Sequence, residues 1–369
     1  MKKLFLILLS SLLLPSVCFG ANMYFTTTGA GDHSASSWSN SGSMSVFEND
    51  IINNSESDDR YFVEGSGTYT ATQNISVNSN SVSIIGVTSG TTAEPPTTSD
   101  YAYGSDRPTL AMGANSWTGA SSNIARNLII TTTATAGFNQ NNSSIFDNCK
   151  STNSSGTAGR YAFYSSSTFC KYIDNEIIST NGYAIRMQAD TRLVGNYIHD
   201  SSYGPRYNGG SMFISNVFDT ITNRGIDQPG SGAIIMNNVF YNCGTAIYGW
   251  TSPNQTTMNN IFDNNTIGAN SYANYSTAVY DYNIWSNNTT DVSNITKGDN
   301  SVTSDITFTD APNGDFTLPD SSVAEGVGAP IGSNMGLTGD YNWNIGVDQT
   351  DTQSGGGGGS VTVGYGFTQ

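Results

Sequence analysis

The chain has 369 residues, only 11% of them charged, and 29 acidic against 13 basic side chains set a formal net charge of −16. That balance disfavours nucleic acid as a partner, because its binding depends on Lys and Arg neutralising phosphates. It also disfavours a bare polyanionic glycan unless metal ions bridge the two, and it suits solubility in a salty exterior.

Residues 1–20 carry the three parts of a secretory signal. Lys2 and Lys3 come first, then an apolar run over 4–14 that is too short to span a bilayer, then Cys18-Phe19-Gly20 before Ala21 as a small-residue cleavage site. Ser16 and Val17 sit badly for a lipoprotein motif around Cys18. Cleavage near Gly20–Ala21 predicts a secreted, periplasmic or extracellular product, and no second apolar run of membrane length follows. Its removal takes two of the 13 basic residues and no acid, leaving 11 against 29 and a net −18.

From 21 to 122 the pattern is irregular. Residues 43–53 (SMSVFENDIIN) place Met44, Phe47, Ile51 and Ile52 on one side of a short helix, suited to covering the open end of a stacked array. Strand-like runs follow at 61–63, 75–77 and 82–87, and the stretch 88–108, with Pro95, Pro96, Gly104 and Pro108, reads as a long surface loop.

A regular array then runs from about 123 to 288. Asn175, Asn196, Asn216, Asn238, Asn260 and Asn283 each precede one variable residue and then a large apolar one, at steps of 21, 20, 22, 22 and 23 residues. Asn148, after Phe146-Asp147, is expected to belong too with a longer 27-residue coil after it, and Asn127-Leu128-Ile129, which fits the phrase, lies 21 before Asn148. A period in this range means a solenoid, whose repeats bury their apolar faces only against one another. Each repeat holds short β segments between Gly, Asn, Asp and Ser turns, so about three strands make a coil. Seven or eight coils at about 4.8 Å each predict a rod of about 35 Å. Asn suits a left-handed bend, and inward amides in one file can bond to each other along the axis. An apolar pair precedes each Asn (Tyr172-Ile173, Leu193-Val194, Phe213-Ile214, Ile235-Met236), with neither member assigned to the interior.

Three cysteines remain in the processed chain. Cys149 and Cys170, one repeat apart, either form a disulfide between adjacent coils or fill two small core slots, and Cys243 has no evident partner. With two histidines, His33 and His199, no Cys/His spacing resembles a zinc site. A glycine tether over 355–359 leads to Val361, Val363, Tyr365 and Phe367 in strict alternation. This is one strand-like tail, which adds to the last coil, docks elsewhere or frays.

The asparagine file with its trailing Ile or Phe resembles that of the right-handed parallel β-helix proteins, the pectate-lyase-like superfamily. So do the opening Tyr24-Phe25-Thr26, Gly29-Ala30-Gly31-Asp32 and Ser37-Trp38, and the closing Ile306-Thr307-Phe308, Gly314-Asp315-Phe316-Thr317-Leu318 and Asn344-Ile345-Gly346. Ser321-Ser322-Val323-Ala324 departs from the Ser-Pro-Ala triplet common there. The resemblance covers about 21–350. It implies an all-β, right-handed parallel β-helix solenoid with an N-terminal cap and a C-terminal closing segment. The expected divisions are leader 1–20, cap and irregular coils 21–122, regular helix 123–300, closing segment 301–350 and tail 351–369. Lyases, hydrolases, adhesins and viral spikes share this fold, so it does not choose among functions.

Chemistry is expected on an outer face. His199, Asp200, Arg206, Asp219 and Arg186 form a candidate acid/base patch with arginine clamps, and Tyr203, Tyr207, Arg224 and Asp227 are candidate ligand contacts. The bland reading is a set of exposed turn residues whose ion pairs contribute little. Arg186, Arg206 and Arg224, 20 and 18 apart, are expected to share a face, and His199 and Asp219 to be neighbours. Asp174 and Glu176 flank Asn175 as a weak hint of Ca2+, which wants six or more oxygens; Asp147, Asp263 and Asp281 read as turn residues. Tyr197, Val217, Val239, Ile261 and Ile284 form an apolar column that a neighbouring loop or the C-terminal segment covers, or that serves homo-oligomer assembly. The leading reading is a secreted protein that binds polysaccharide or another extended surface ligand along the rod. A polysaccharide lyase or glycoside hydrolase acting through the 199–207 region, and a structural or adhesive module, are the alternatives.

Overall fold

A computed structural model of the chain describes residues 20–329, apart from 135, 158, 207–208, 250–253 and 273–277, together with Gly346. The expected leader, 1–20, lies outside these in all but its last residue, as does the whole expected tail, 351–369. Three stacked faces make up the rod. On the first, eleven parallel strands run from Asn22–Phe25 through Arg60–Glu64, Ser83–Val87 and Ile124–Arg126 to Val279–Asp281. The stretch 21–122 therefore already winds as coils, and eleven strands span about 48 Å at 4.8 Å per step, longer than the regular array alone implies. The second face carries, among others, Lys150–Asn153, Glu176–Ser179, Val239–Tyr241 and Ile284–Ser286. The third carries Tyr161–Ser165, Tyr183–Arg186, Thr245–Gly249 and Thr290–Ser293. Tyr197–Tyr203 and Val217–Asp227 cross the corner between second and third faces.

The corner between the first and second faces divides two roles that asparagine can fill equally well. The left-handed residue comes first: Asp174, Gly195, Ser215, Asn237, Asn259 and Tyr282 have φ of 52, 67, 54, 57, 57 and 52°. The next residue turns its side chain inward, and Asn175, Asn196, Asn216, Asn238, Asn260 and Asn283 are all fully buried. Each amide from Asn175 to Asn260 donates to the Oδ1 of the following Asn at 2.8–3.0 Å. That same oxygen accepts the donor residue's backbone N–H, so one side chain satisfies both polar groups at every bend. Asn127 and Asn148 do not belong to this file. They occupy left-handed positions with φ of 57 and 49°, and the inward slots after them are Leu128 and Cys149. Spacing cannot detect the offset; the register Lys150↔Glu176 decides it.

At the second corner a shorter file, Cys243, Asn265 and Asn288, repeats the arrangement. Of each apolar pair before the ladder, Tyr172, Leu193, Phe213 and Ile235 point in. Inside, Phe218, Phe240, Phe262 and Trp285 stack at 4.7, 5.0 and 4.3 Å with ring planes within 7°. Cys149 and Cys170 are free and buried, not bridged. Cys149 fills a ladder slot after the strand Ile145–Asp147, whereas Cys170 precedes the strand Lys171–Ile173. The two sit at opposite ends of the first face, and one repeat of sequence separation does not bring them together.

Met44–Asn53 is the capping helix, with Met44, Phe47 and Ile51 buried. Phe47 meets Phe25 and Tyr61 edge-on at 5.2 and 5.7 Å, closing the first coils. The column Val217, Val239, Ile261 and Ile284 is buried under Ile306, Phe308, Ala311, Phe316 and Ala324. The C-terminal segment thus covers it, and Gly346 N–H donates to Asn259 O at 2.9 Å on the adjoining corner.

Candidate functional site

Left-handed bends at Asp200 (φ 46°) and Thr220 (φ 51°) turn two consecutive strands from the second face onto the third. They split the residues of the 186–227 region into two groups on different faces, where the sequence reading joined them in one patch.

On the second face, His199 pairs with Asp219 in register, as expected from their equal offsets. No hydrogen bond joins them. His199 Nδ1 contacts Asp200 Oδ2 at 2.9 Å and Nε2 contacts Glu176 Oε1 at 3.3 Å. Lys150 Nζ donates to the same Glu176 oxygen at 2.6 Å, and the His199 ring stacks on Tyr197 at 4.1 Å. Burial pulls the imidazole pKa down, yet the two carboxylates outweigh it and raise the pKa above its usual value. Burial likewise pushes the Glu176 carboxyl up, but the bonds and charges of His199 and Lys150 bring it to about 2. Asp219 is raised by burial, against hydrogen bonds from Thr220 and Tyr197 that oppose the shift. Its Oδ2 accepts from Tyr197 at 2.8 Å and its Oδ1 from Thr220 at 2.7 Å. An imidazole with both nitrogens engaged and its proton held is a poor base. This group is an ion network. Lys150, Glu176 and, at 3.9 Å from Glu176, Arg107 belong to it too. Lys150, Glu176 and Tyr197 are register neighbours, and His199 reaches Glu176 diagonally from two residues further on, which spacing did not mark.

Asp174 and Glu176, flanking one ladder residue, diverge at the corner. Glu176 faces Lys150 and His199, while burial and the Asp147 charge push Asp174 up to about 6. Among the described residues no group of three or more His, Cys, Asp or Glu converges to hold a metal ion.

The third face gathers the other group into two adjacent outer files. Tyr161, Tyr183, Tyr203 and Arg224 are register neighbours in one; Tyr164, Arg186, Arg206, Asp227 and Tyr248 are in the other. Arg224 thus lies beside the file of Arg186 and Arg206 instead of in it. Arg206 pairs with Asp227, three residues past Arg224, and the register shift between Ser201 and Tyr203 sets Arg224 opposite Tyr203. The chains touch at Gly204, where a Cβ would come within 1.8 Å of Gly225 O. Tyr161 stacks on Tyr183 at 5.7 Å and Tyr183 on Tyr203 at 4.6 Å. Arg186 lies over Tyr161 and Tyr164 at 5.7 and 5.3 Å, Arg206 over Tyr183 at 5.5 Å and Arg224 over Tyr248 at 3.7 Å. Asp227, almost wholly buried, accepts from Arg224 Nη1 at 2.6 Å and from Tyr183 Oη at 3.2 Å. Burial, then the Asp227 charge, pushes the Tyr183 hydroxyl up to about 12. Among the described residues Arg186 and Arg206 enter no ion pair within 4.0 Å. Tyr207 lies outside the described residues. Tyr161, Tyr164 and Tyr248 belong to this face too, and only their equivalent positions between second corner and next strand could have signalled it.

No protein-family model and no curated protein matches the chain. Among solved structures, pectate lyase Pel9A is similar at 14% identity and a TM-score of 0.53, over 90% of this chain and 97% of that one. The tailspike protein 3 of bacteriophage CBA120 aligns at 12% identity and a TM-score of 0.28, over 77% of this chain and 62% of that one. The chain therefore has a right-handed parallel β-helix fold, and its likeness to Pel9A is one of architecture alone.

Proposed function

We propose that the chain binds an extended, acid-bearing polysaccharide along its third face. The observation that carries this reading is the pair Arg186 and Arg206, register neighbours on adjacent coils without an ion-pair partner among the described residues. Strands on adjacent coils lie about 4.8 Å apart, so the two like charges are near enough to repel each other. A carboxylate or sulfate laid between them relieves that repulsion. The acidic balance of the whole chain opposes an anion only weakly at this spot, because salt screens charges beyond about 8 Å. The half-buried Tyr161, Tyr183 and Tyr203, stacked on one another, add aromatic surface and hydroxyls to the same face.

Bond cleavage is not part of this reading. Asp227 is held by Arg224 and Tyr183, and His199 lies on another face between two carboxylates. Assembly through the Val217 to Ile284 column is not part of it either, since the closing segment covers those side chains.

Calorimetry against neutral, uronate-bearing and sulfated oligosaccharides tests the proposal, with pectate fragments among the uronates. Binding is expected for acidic chains only, weakening with added salt. Arg206→Ala should weaken it about tenfold or more, about 1.4 kcal/mol. Arg192→Ala, a charge-matched change on the first face, should leave it unchanged. Equal affinity for neutral chains, or release of unsaturated or reducing ends that His199→Ala abolishes, overturns the reading.

A further inference from the structure

Asp59 is 3% exposed, yet no Lys, Arg or His lies within 4.0 Å of its carboxylate among the described residues. Its two contacts are backbone amides: Ala21 N–H donates to Oδ1 at 2.7 Å and Glu56 N–H to Oδ2 at 2.7 Å. A buried charge without a counter-charge is costly, and such groups are normally paired. Ala21 is held in place independently, because its carbonyl accepts from Arg60 N–H at 2.8 Å and the first strand begins at the next residue. Immediately before it, Gly20 presses on the chain at Asp58, where a Cβ would fall 2.0 Å from the carbonyl carbon. Only glycine fits there, and it is also the small residue that ends the leader.

We propose that hydrolysis of the Gly20–Ala21 bond creates a built N-terminus, in which the α-ammonium of Ala21 is the missing counter-ion of Asp59. Water adds across the amide, its hydroxyl going to the Gly20 carbonyl carbon and its hydrogen to the Ala21 nitrogen. The new Gly20 carboxyl gives up the proton that the amine takes. A 2.7 Å hydrogen bond from a neutral amide to a carboxylate thereby becomes one between two opposite charges. Removal of the leader and locking of the first coil are then one event.

Intact mass and N-terminal sequencing of the exported full-length product come first; an N-terminus other than Ala21 overturns the proposal. The Ala21 form is then compared with its α-acetylated counterpart, each with and without Asp59→Asn. Acetylation should lower Tm by about 2 °C in a chain of this size and do almost nothing beside Asp59→Asn, which keeps one acceptor oxygen but removes the charge and the second acceptor. An equal loss in both backgrounds makes Asp59 a simple turn acceptor and refutes the pairing. Should Asp59→Asn not fold, titration of the α-amine in the unsubstituted protein decides. A pKa raised above the ordinary value of about 8 supports the pair, and an ordinary one overturns it.

Discussion

Asn196 donates its side-chain amide to Asn216 Oδ1 at 2.8 Å and its backbone N–H to the same oxygen at 2.9 Å. Asn216→Ala therefore strands the buried backbone N–H of Asn196, whose side-chain amide keeps Tyr172 O and Val194 O, besides losing its own bonds to Leu193 O and Asn238 Oδ1. At about 1–3 kcal/mol for each unsatisfied buried group, the loss should reach about 3–5 kcal/mol in denaturant unfolding. Asn237→Gly, one position before a ladder residue, should cost less than about 1 kcal/mol, since glycine accepts the φ of 57° held there. Equal losses at the two sites would contradict the division of roles at the bend.

The His199 network predicts a two-sided dependence of stability on pH. Folded His199 binds its proton more tightly than the usual 6.5, so its contribution is complete below about 6.5 and fades as pH rises through the higher folded pKa. Glu176 is displaced the other way, to about 2 from 4.5. Its contribution is complete above about 4.5 and fades as pH falls through 2. Thermal melts across pH 3–9 should therefore show the network strongest between about 4.5 and 6.5. His199→Gln should flatten the alkaline limb relative to the parent; an unchanged limb would refute the ion-pair account.

Cys149, Cys170 and Cys243 should be free thiols, and a chain cut at the expected Gly20–Ala21 bond lacks Cys18. Burial pushes Cys149 up to about 12 and raises Cys243 and Cys170 as well. Native protein should resist alkylation, and unreduced protein denatured before alkylation should add three labels by mass. A product two labels short would restore the disulfide.

Phe316 lies 6.3 Å from the Tyr197 ring and 5.2 Å from Phe308, pressed on the Val217 to Ile284 column. Phe316→Ala should cost about 3 kcal/mol and uncover apolar surface that binds a hydrophobic dye. Unaltered stability and dye binding would mean that the closing segment is not seated there.

Much of the rod is legible in the chain because its energetics are nearly one-dimensional. A residue meets its equivalent one coil away, so the six ladder asparagines, the trailing Ile and Phe, and the capping face of Met44, Phe47 and Ile51 all carry the pattern openly. The helix over 43–53 and the strands near 61–63 and 82–87 were readable for the same reason. Asn127 and Asn148 misled because one side chain suits both the left-handed bend and the inward slot. Cys149 and Cys170 misled because one period separates equivalent corners only when both residues sit at the same phase.

The site behaves differently. His199, Asp200, Arg206 and Asp219 are near in sequence or period, yet a single left-handed residue per coil sends His199 and Asp219 to one face and Arg206 to another. Period and apolar phase are summed over many coils, so the amino-acid sequence by itself determined the solenoid, its ladder and its cap. Which side chains meet depends on one backbone angle at each corner and a register shift at Tyr203. Those were decided only when the coils stacked, because neighbouring turns supply the hydrogen bonds that hold each bend in place.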